Sequence, residues 1–538
     1  MTFVFCINVL LVHLCNNQNL RIMKYKNLIA ALSFIVIVIF SSCHRQSKKN
    51  RNQTDKVFKE KMDTFIEKVM DTLNIKFGVA MAVVKGENTV YESYYGLANY
   101  EKNIPVTPET NFYIASSTKS FTALAMLMLE HKGILDLDRS LASYFPEGKF
   151  KPELNANKIN LRDLLYHTSG IENNNITISL AYTGLYTIES LVKNLLNYTI
   201  PNRRSKYGEF KYSNLGYNII ELILERELGK SWKQVVKEEV LDPLEMSKTS
   251  ANMSDIDKLN WPSTDPYYEI NEKGDLKLIP LKKKDRIMHA AGGLISTPRD
   301  MSKFLKAQLN EGKIDGKQIF PKEIISFSQE PHAKQKREFL GLKRFAYGYG
   351  WNIATTPLGD TLVHHYGGFP GTTAQVSFMP EHHVGLSIYA NEGQKGLLST
   401  FLITSYAFDY YAGRENLDTF YDKQLSEYKS MMLDEYKNRA KNLAKRAKRT
   451  WQLELDFKEY AGSFYSSSVG KIEITYNEKN ELIATMGYLK SAPATPFINK
   501  NSVRVEMVPG NGSAIQFTVK GGEVKGLNMD GLTFKKIK

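Results

Sequence analysis

Ser116-Ser117-Thr118-Lys119 runs directly into Phe121 to His131, an apolar stretch with helical period. A serine and a lysine three residues apart at the start of such a helix share one face, one turn apart. The lysine amine can then reach the serine hydroxyl and take its proton. The helix amino terminus adds N–H groups and positive dipole that favour the alkoxide and the anion it forms on attack. The pattern is a nucleophile with its base, lacking the histidine of a Ser-His-Asp triad. Spacing alone selects little, because Ser190–Lys193, Ser426–Lys429 and Ser468–Lys471 repeat it.

What singles out the first is the company it keeps. Tyr212-Ser213-Asn214 follows it, and further on lies His365-Tyr366-Gly367-Gly368-Phe369-Pro370-Gly371. A Ser-x-x-Lys, a Tyr-x-Asn and a Gly-containing strand motif, in that order, resemble the penicillin-recognising serine hydrolases. The nearest likeness is to class C β-lactamases and their esterase and D-aminopeptidase relatives. Leu164-Leu165-Tyr166-His167-Thr168-Ser169-Gly170 resembles a further segment of that family. So do Asp242-Pro243-Leu244-Glu245-Met246, with Glu245 in place of a glycine, Ala290-Ala291-Gly292-Gly293-Leu294-Ile295-Ser296-Thr297 followed by Arg299-Asp300-Met301, and Tyr347-Gly348-Tyr349-Gly350-Trp351.

The resemblance implies an α+β, β-lactamase/transpeptidase-like fold: an antiparallel sheet flanked by helices, plus a helical subdomain. It implies Ser116 as the nucleophile that forms an acyl-enzyme and Lys119 as the base for acylation. A free lysine titrates near ~10.4, so its site must lower that value. Tyr212 is expected across the cleft as a proton relay, and Asn214 as a hydrogen-bond partner of Lys119 or of a substrate amide. Gly367 lets substrate lie along the strand edge. The backbone N–H of Gly368, with that of Ser116, is expected to form the oxyanion hole. His365 and Tyr366 stand where β-lactamases carry a lysine and a threonine that grip the penicillin carboxylate. Histidine there supplies a weaker, pH-dependent grip or none, which favours an esterase or peptidase over β-lactam resistance.

Metal chemistry is not expected, since no His-Glu-x-x-His or other convincing ligand cluster occurs among the 10 histidines. No cofactor is expected either. A Gly-x-Ser-x-Gly elbow is absent, so an α/β-hydrolase is poorly supported. The sequence leaves open small esters, amides or D-residue peptides as substrates. The rival readings are a β-lactamase or D,D-carboxypeptidase proper, and a non-catalytic penicillin-binding-like sensor or scaffold.

Cys6, Cys15 and Cys43 are the only cysteines, so nothing after Cys43 can form a disulfide or a thiolate site. Met23-Lys24-Tyr25-Lys26 is a short basic start, Leu28 to Phe40 is apolar, and Ser41-Ser42-Cys43 ends the run. That is the plan of a secretory signal, too short in its apolar part for a spanning helix of ~20 residues. Its end resembles a bacterial lipoprotein box, which makes Cys43 the expected lipidated residue, Met23 the expected start and the bacterial cell envelope the expected location. A longer two-part membrane segment is the alternative. The formal net charge of +14 includes basic residues just after Cys43 and between Lys423 and Arg449. They are read as a solvated linker, the alternative being attraction of the basic segment beside the membrane-held lipid anchor to an anionic membrane surface, with no nucleic-acid-binding motif among them.

The expected organisation is a signal over residues 1–43, a tether over 44–56 and a hydrolase domain over 57–415. A charged helical connector over 416–450 leads to a small β-barrel-like domain over 451–538, similar to the lipocalin-like domains that follow such hydrolases. Within the hydrolase domain, strands are predicted at Phe77–Val84, Thr89–Tyr95, Leu362–Tyr366, Thr373–Met379 and Gly385–Ala390. The stretch from about 135 to 345 is predicted to be helix and loop, and Leu397 to Tyr411 a closing helix. The sequence leaves the state of assembly open.

Overall fold

The computed structural model describes residues 55–537. The expected start at Met23, the expected lipidation at Cys43 and nearly all of the tether lie outside the described residues. The chain divides after Asp63, and residues 55–63 are helical. All further elements belong to the unit that begins at Thr64.

The centre of this unit is an eight-stranded antiparallel sheet. Its strands are β1 (Val79–Lys85), β2 (Asn88–Tyr95), β3 (Ala333–Phe339), β4 (Leu342–Tyr347), β5 (Asn352–Thr355), β6 (Thr361–Phe369), β7 (Thr372–Met379) and β8 (Val384–Ala390). The spatial order is β3-β4-β5-β6-β7-β8-β1-β2. β1 and β8 are buried along nearly their whole length because helices cover both faces. In β7, Ala374, Val376 and Phe378 join the main core, whereas Gln375, on the other face, donates to Thr400 Oγ1 at 2.7 Å. That alternation is the period of two expected of a strand.

Five helices bear on the site: α1 (Thr118–His131), α2 (Leu215–Leu228), α3 (Pro298–Leu309), α4 (Gln394–Tyr411) and α5 (Leu417–Ala447). Thr297 caps α3, accepting from Asp300 N at 3.2 Å, with Pro298 at the first helical position. α3 packs α1 against the sheet through Phe304. Its ring stacks on Phe121 of α1 at 3.9 Å between centroids and lies 6.0 Å from Trp351. All three rings are buried.

β3 and β4 correct the sequence reading, which placed this stretch in helix and loop. Their sequences, AKQKREF and LKRFAY, are crowded with lysine and arginine. An edge of a sheet accepts such residues, which face water and block further pairing. The turn between them is Leu340-Gly341, both at positive φ. A two-residue hairpin with two left-handed residues usually announces itself as Asn-Gly or Asp-Gly. Leucine in the first position hid it.

Beyond α5 lies a second antiparallel sheet of nine strands: β9 (Gly462–Ser466), β10 (Gly470–Tyr476), β11 (Leu482–Met486), β12 (Leu489–Lys490), β13 (Thr495–Pro496), β14 (Ser502–Val508), β15 (Asn511–Lys520), β16 (Glu523–Met529) and β17 (Leu532–Ile537). They run in the order β12-β11-β10-β9-β17-β16-β15-β14-β13. Ala492 N donates to Glu506 O at 3.1 Å, drawing one end of the sheet towards the other. The result is a curled half-barrel. Its apolar lining takes in Ile279 and Leu281, which precede α3 in the chain, with Tyr182 and Phe369 packed against it.

The Phe121–Phe304–Trp351 stack fixes the angle at which α1 meets the sheet. Phe304→Ala is expected to cost about 3–5 kcal/mol of stability, as for other buried aromatic truncations. Urea denaturation of the variant beside the wild type measures it.

Candidate active site

The turn Ala115–Ser117 leads into α1, so Ser116 stands just ahead of the helix. Ala115 has φ +45, a left-handed conformation that a residue with a Cβ rarely takes. The surroundings enforce it. Ile114 N donates to Leu294 O at 3.0 Å, and Ser117 N donates to Ile114 O at 3.1 Å. Backbone strain held in place this way gathers at functional sites.

Lys119 is fully buried. Its Nζ donates to Ala291 O at 2.6 Å, to Asn214 Oδ1 at 2.7 Å and to Ser116 Oγ at 3.3 Å. Those contacts use all three donors of an ammonium, and none of the acceptors is a carboxylate. Burial lowers the Lys119 pKa well below the usual lysine range. The Nζ also lies 5.0 Å from the ring centroid of Tyr212 and 5.4 Å from that of Tyr217. Asn214 sits at the amino end of α2, a capping position, yet its side chain makes no cap. It is engaged by Lys119 instead.

Tyr212 lies beside Ser116. Desolvation among its neighbours raises the phenol pKa, so the hydroxyl stays protonated over the ordinary pH range. Its ring packs 4.6 Å from that of His167 and 6.0 Å from that of His365. His167, at φ +68, accepts at Nδ1 from Ser213 N at 3.4 Å. The Leu-Leu-Tyr-His-Thr-Ser-Gly segment thereby shapes the Tyr212 loop.

β5 pairs with β6 only from Thr361 to His364. From His365 onward the edge of β6 that would face β5 is unpaired, and the nucleophile turn lies along it. Ser117 Oγ donates to His365 O at 3.3 Å. A Cβ on Gly367 would stand 2.1 Å from Ile114 O and 3.0 Å from Ser116 N, so only glycine admits the turn this close. Gly368 is exposed beside it.

His365 does not reach into the cleft. It is buried, with Nδ1 2.9 Å from Tyr366 O and Nε2 3.2 Å from Tyr347 Oη. The carbonyl can only accept, which assigns the proton to Nδ1 and leaves Nε2 to accept from Tyr347. Burial, with Lys119 and Arg344 close by, lowers the imidazole pKa well below its ordinary value. The pH-dependent grip expected of His365 therefore has no free ring atom to act through. His364 lies on the opposite face of β6, against Arg344.

The structure brings Ser116, Lys119, Tyr212, Asn214, Gly367 and Gly368 together and adds two groups to which the sequence assigned no role. Ala291 is one, since its carbonyl holds Lys119. Glu221 is another: its carboxylate accepts from Ala290 N at 3.0 Å, and burial pushes its pKa up to about 8. A backbone carbonyl leaves no signature in sequence, and Glu221 reads there as one more polar position on α2. Among the described residues one carboxylate trio, Glu130, Asp136 and Asp138, could approach a cation. Arg162 already pairs with Glu130 at 2.6 Å and Asp138 at 2.8 Å.

Residues 62–399 match the family described as Beta-lactamase. The chain belongs to the beta-lactamase family. Among curated proteins, this family member is 23% identical over 332 residues to Protein flp of Staphylococcus aureus strain COL, covering 62% of this chain and 63% of flp. It thus spans just under two thirds of that relative. It is 22% identical to Penicillin-binding protein 4* of Bacillus subtilis strain 168, over 61% of this chain and 71% of that one. Two solved structures share the fold. The octameric penicillin-binding protein homologue from Pyrococcus abyssi aligns with TM-score 0.57 and 23% identity, over 89% of this chain and 99% of its own. D-amino acid amidase from Ochrobactrum anthropi SV3, complexed with D-phenylalanine, aligns with TM-score 0.51 and 23% identity, over 65% of this chain and 99% of its own.

Gly367→Ala is expected to push the nucleophile turn off the β6 edge. Labelling of Ser116 by a fluorophosphonate should slow about 10²-fold, the scale of a 1 Å misplacement at a reacting centre. Intact mass spectrometry over time measures it, with circular dichroism to confirm folding.

Proposed function

We propose that this chain is a serine hydrolase that works through an acyl-enzyme on small esters, amides or D-residue peptides. The single observation that carries this is the Lys119 amine. It is fully buried, without a carboxylate partner among the described residues, and 3.3 Å from the Ser116 hydroxyl. An ordinary surface lysine is a poor base near neutrality, whereas one held in this setting is not. The neutral amine takes the Ser116 proton as Oγ attacks the substrate carbonyl. Negative charge develops on the carbonyl oxygen, where the N–H groups of Ser116 and Gly368 receive it. Tyr212, kept protonated, hands its proton to the leaving group and recovers one through Lys119. Water then attacks the acyl-enzyme by the reverse route, and the acid departs.

The absence of a free cation at position 365 favours this over a β-lactamase or D,D-carboxypeptidase proper, since those enzymes use a lysine there for the substrate carboxylate. The proposal extends to the cell envelope, with Cys43 as lipid anchor. Metabolic labelling with a palmitate analogue should mark the wild type and not Cys43→Ala.

Ser116→Ala is expected to lower turnover of p-nitrophenyl esters at least ~10³-fold, as removal of a catalytic serine does. The pH dependence follows from the direction of the Lys119 shift. The base must be neutral, and its pKa is lowered, so kcat/KM should rise with pH and level off below the ~10.4 of a free lysine. Tyr212, with its raised pKa, should impose no fall in that range. A pH–rate profile from about pH 6 to 10 reads both limbs. An activity equal in Ser116→Ala and wild type would overturn the assignment.

A further inference from the structure

Lys283 is the second buried lysine of this region, and the hydrolytic steps do not use it. It is 6% exposed. Its Nζ donates to Ala181 O at 2.8 Å and to Ile287 O at 3.0 Å. No carboxylate pairs with it among the described residues, and an ammonium has a third donor. Rings close round it: the Phe369 centroid is 4.0 Å from Nζ, that of Tyr113 5.2 Å and that of Tyr182 5.9 Å.

Lys283 lines a cleft of about 570 Å³. Two of its walls come from the active-site elements themselves. Tyr113 is three residues before Ser116, which puts their Cα atoms no more than about 11 Å apart. Phe369 follows Gly368 directly. The Tyr113 hydroxyl also donates to Gly292 O, and Gly292 packs on the Ala115–Ser116 backbone. The carboxylates along the same cleft do not answer Lys283. Asp265 pairs with Lys282, Asp285 accepts from Ser254 N at 2.8 Å, and Asp257 is exposed. Tyr488 of the half-barrel lines the outer part, held by its N–H to Thr183 O at 3.1 Å.

Burial lowers the pKa of Lys283 as it does that of Lys119, and an anion entering the cleft would hold the amine as an ammonium, the pairing that best stabilises it. We propose that Lys283 is a specificity determinant that binds an anionic group, such as a terminal carboxylate, on the substrate whose carbonyl Ser116 attacks. The proposal rests on the serine-hydrolase reading above for its link to turnover. Tyr113, Tyr182 and Phe369 would pack on the apolar part between the anion and the scissile carbonyl.

The test compares two esters of equal chain length, mono-p-nitrophenyl glutarate and p-nitrophenyl pentanoate, with wild type and Lys283→Met. The wild type is expected to prefer the glutarate ester at least tenfold in kcat/KM, and the variant to show a ratio near one. Equal ratios in the two proteins would overturn the proposal. So would a fall in both esters by the same factor, which would reduce Lys283 to a tie between two carbonyls. Calorimetric titration of glutarate into Ser116→Ala and into Ser116→Ala/Lys283→Met separates the two readings. Affinity lost at least tenfold with Lys283, in a protein whose wild type turns over neither ester, would sink the hydrolase and leave the anion site. Equal affinity would remove the site whatever the turnover.

Discussion

The site depends on one uncompensated burial, that of the Lys119 amine. A lysine with no carboxylate partner in a dry interior is destabilised as an ammonium, and the surrounding oxygens of Ala291, Asn214 and Ser116 only partly replace its water. That imbalance lowers its pKa well below the usual lysine range. It also ties distant parts of the chain to one point: the amino end of α1, the amino end of α2 and the Ala290–Gly293 segment. A carboxylate within reach would have stabilised the fold and disarmed the amine.

The second constraint is a sheet edge left open in the middle of a sheet. β5 is short, so β6 runs on unpaired on that side for its last residues. Gly367 lets the Ile114–Ser116 backbone lie against that edge, and Ala115 takes up the left-handed turn the approach requires. Ser116 is thus positioned by backbone contacts on both sides. The buried rings of Phe121, Phe304 and Trp351 hold the helix behind it.

Much of the hydrolase fold was legible from local pattern. β1, β2, β6, β7, β8 and α4 alternate or repeat in the way their types demand, and the motifs named the residues that meet at the site. What escaped has physical reasons. β3 and β4 are charged edge strands joined by a Leu-Gly turn, without the apolar alternation or the turn signal that marks a hairpin. His365 matched a binding position by register, yet the tertiary structure turns its ring into the protein against Tyr347. Ala291 acts through a carbonyl, and Lys283 sits in a run of three lysines that reads as solvent-facing.

The half-barrel shows the same division. Five of its nine strands, β10, β11, β14, β15 and β16, were visible as short runs between Gly and Asn turns, whereas β9, β12, β13 and β17 were not. That its lining would take in Ile279 and Leu281, with Phe369 packed against it, was not. Sequence by itself determined which residues have the chemistry: a serine and a lysine one helical turn apart, a tyrosine and an asparagine ahead of α2, and paired glycines on a strand. Those depend on spacing within one element, which a chain carries along its length. Tertiary structure alone decided which charges would be buried without a partner and which would be paired. Burial and the local dielectric are properties of what packs around a group, and that comes from segments far apart in the chain.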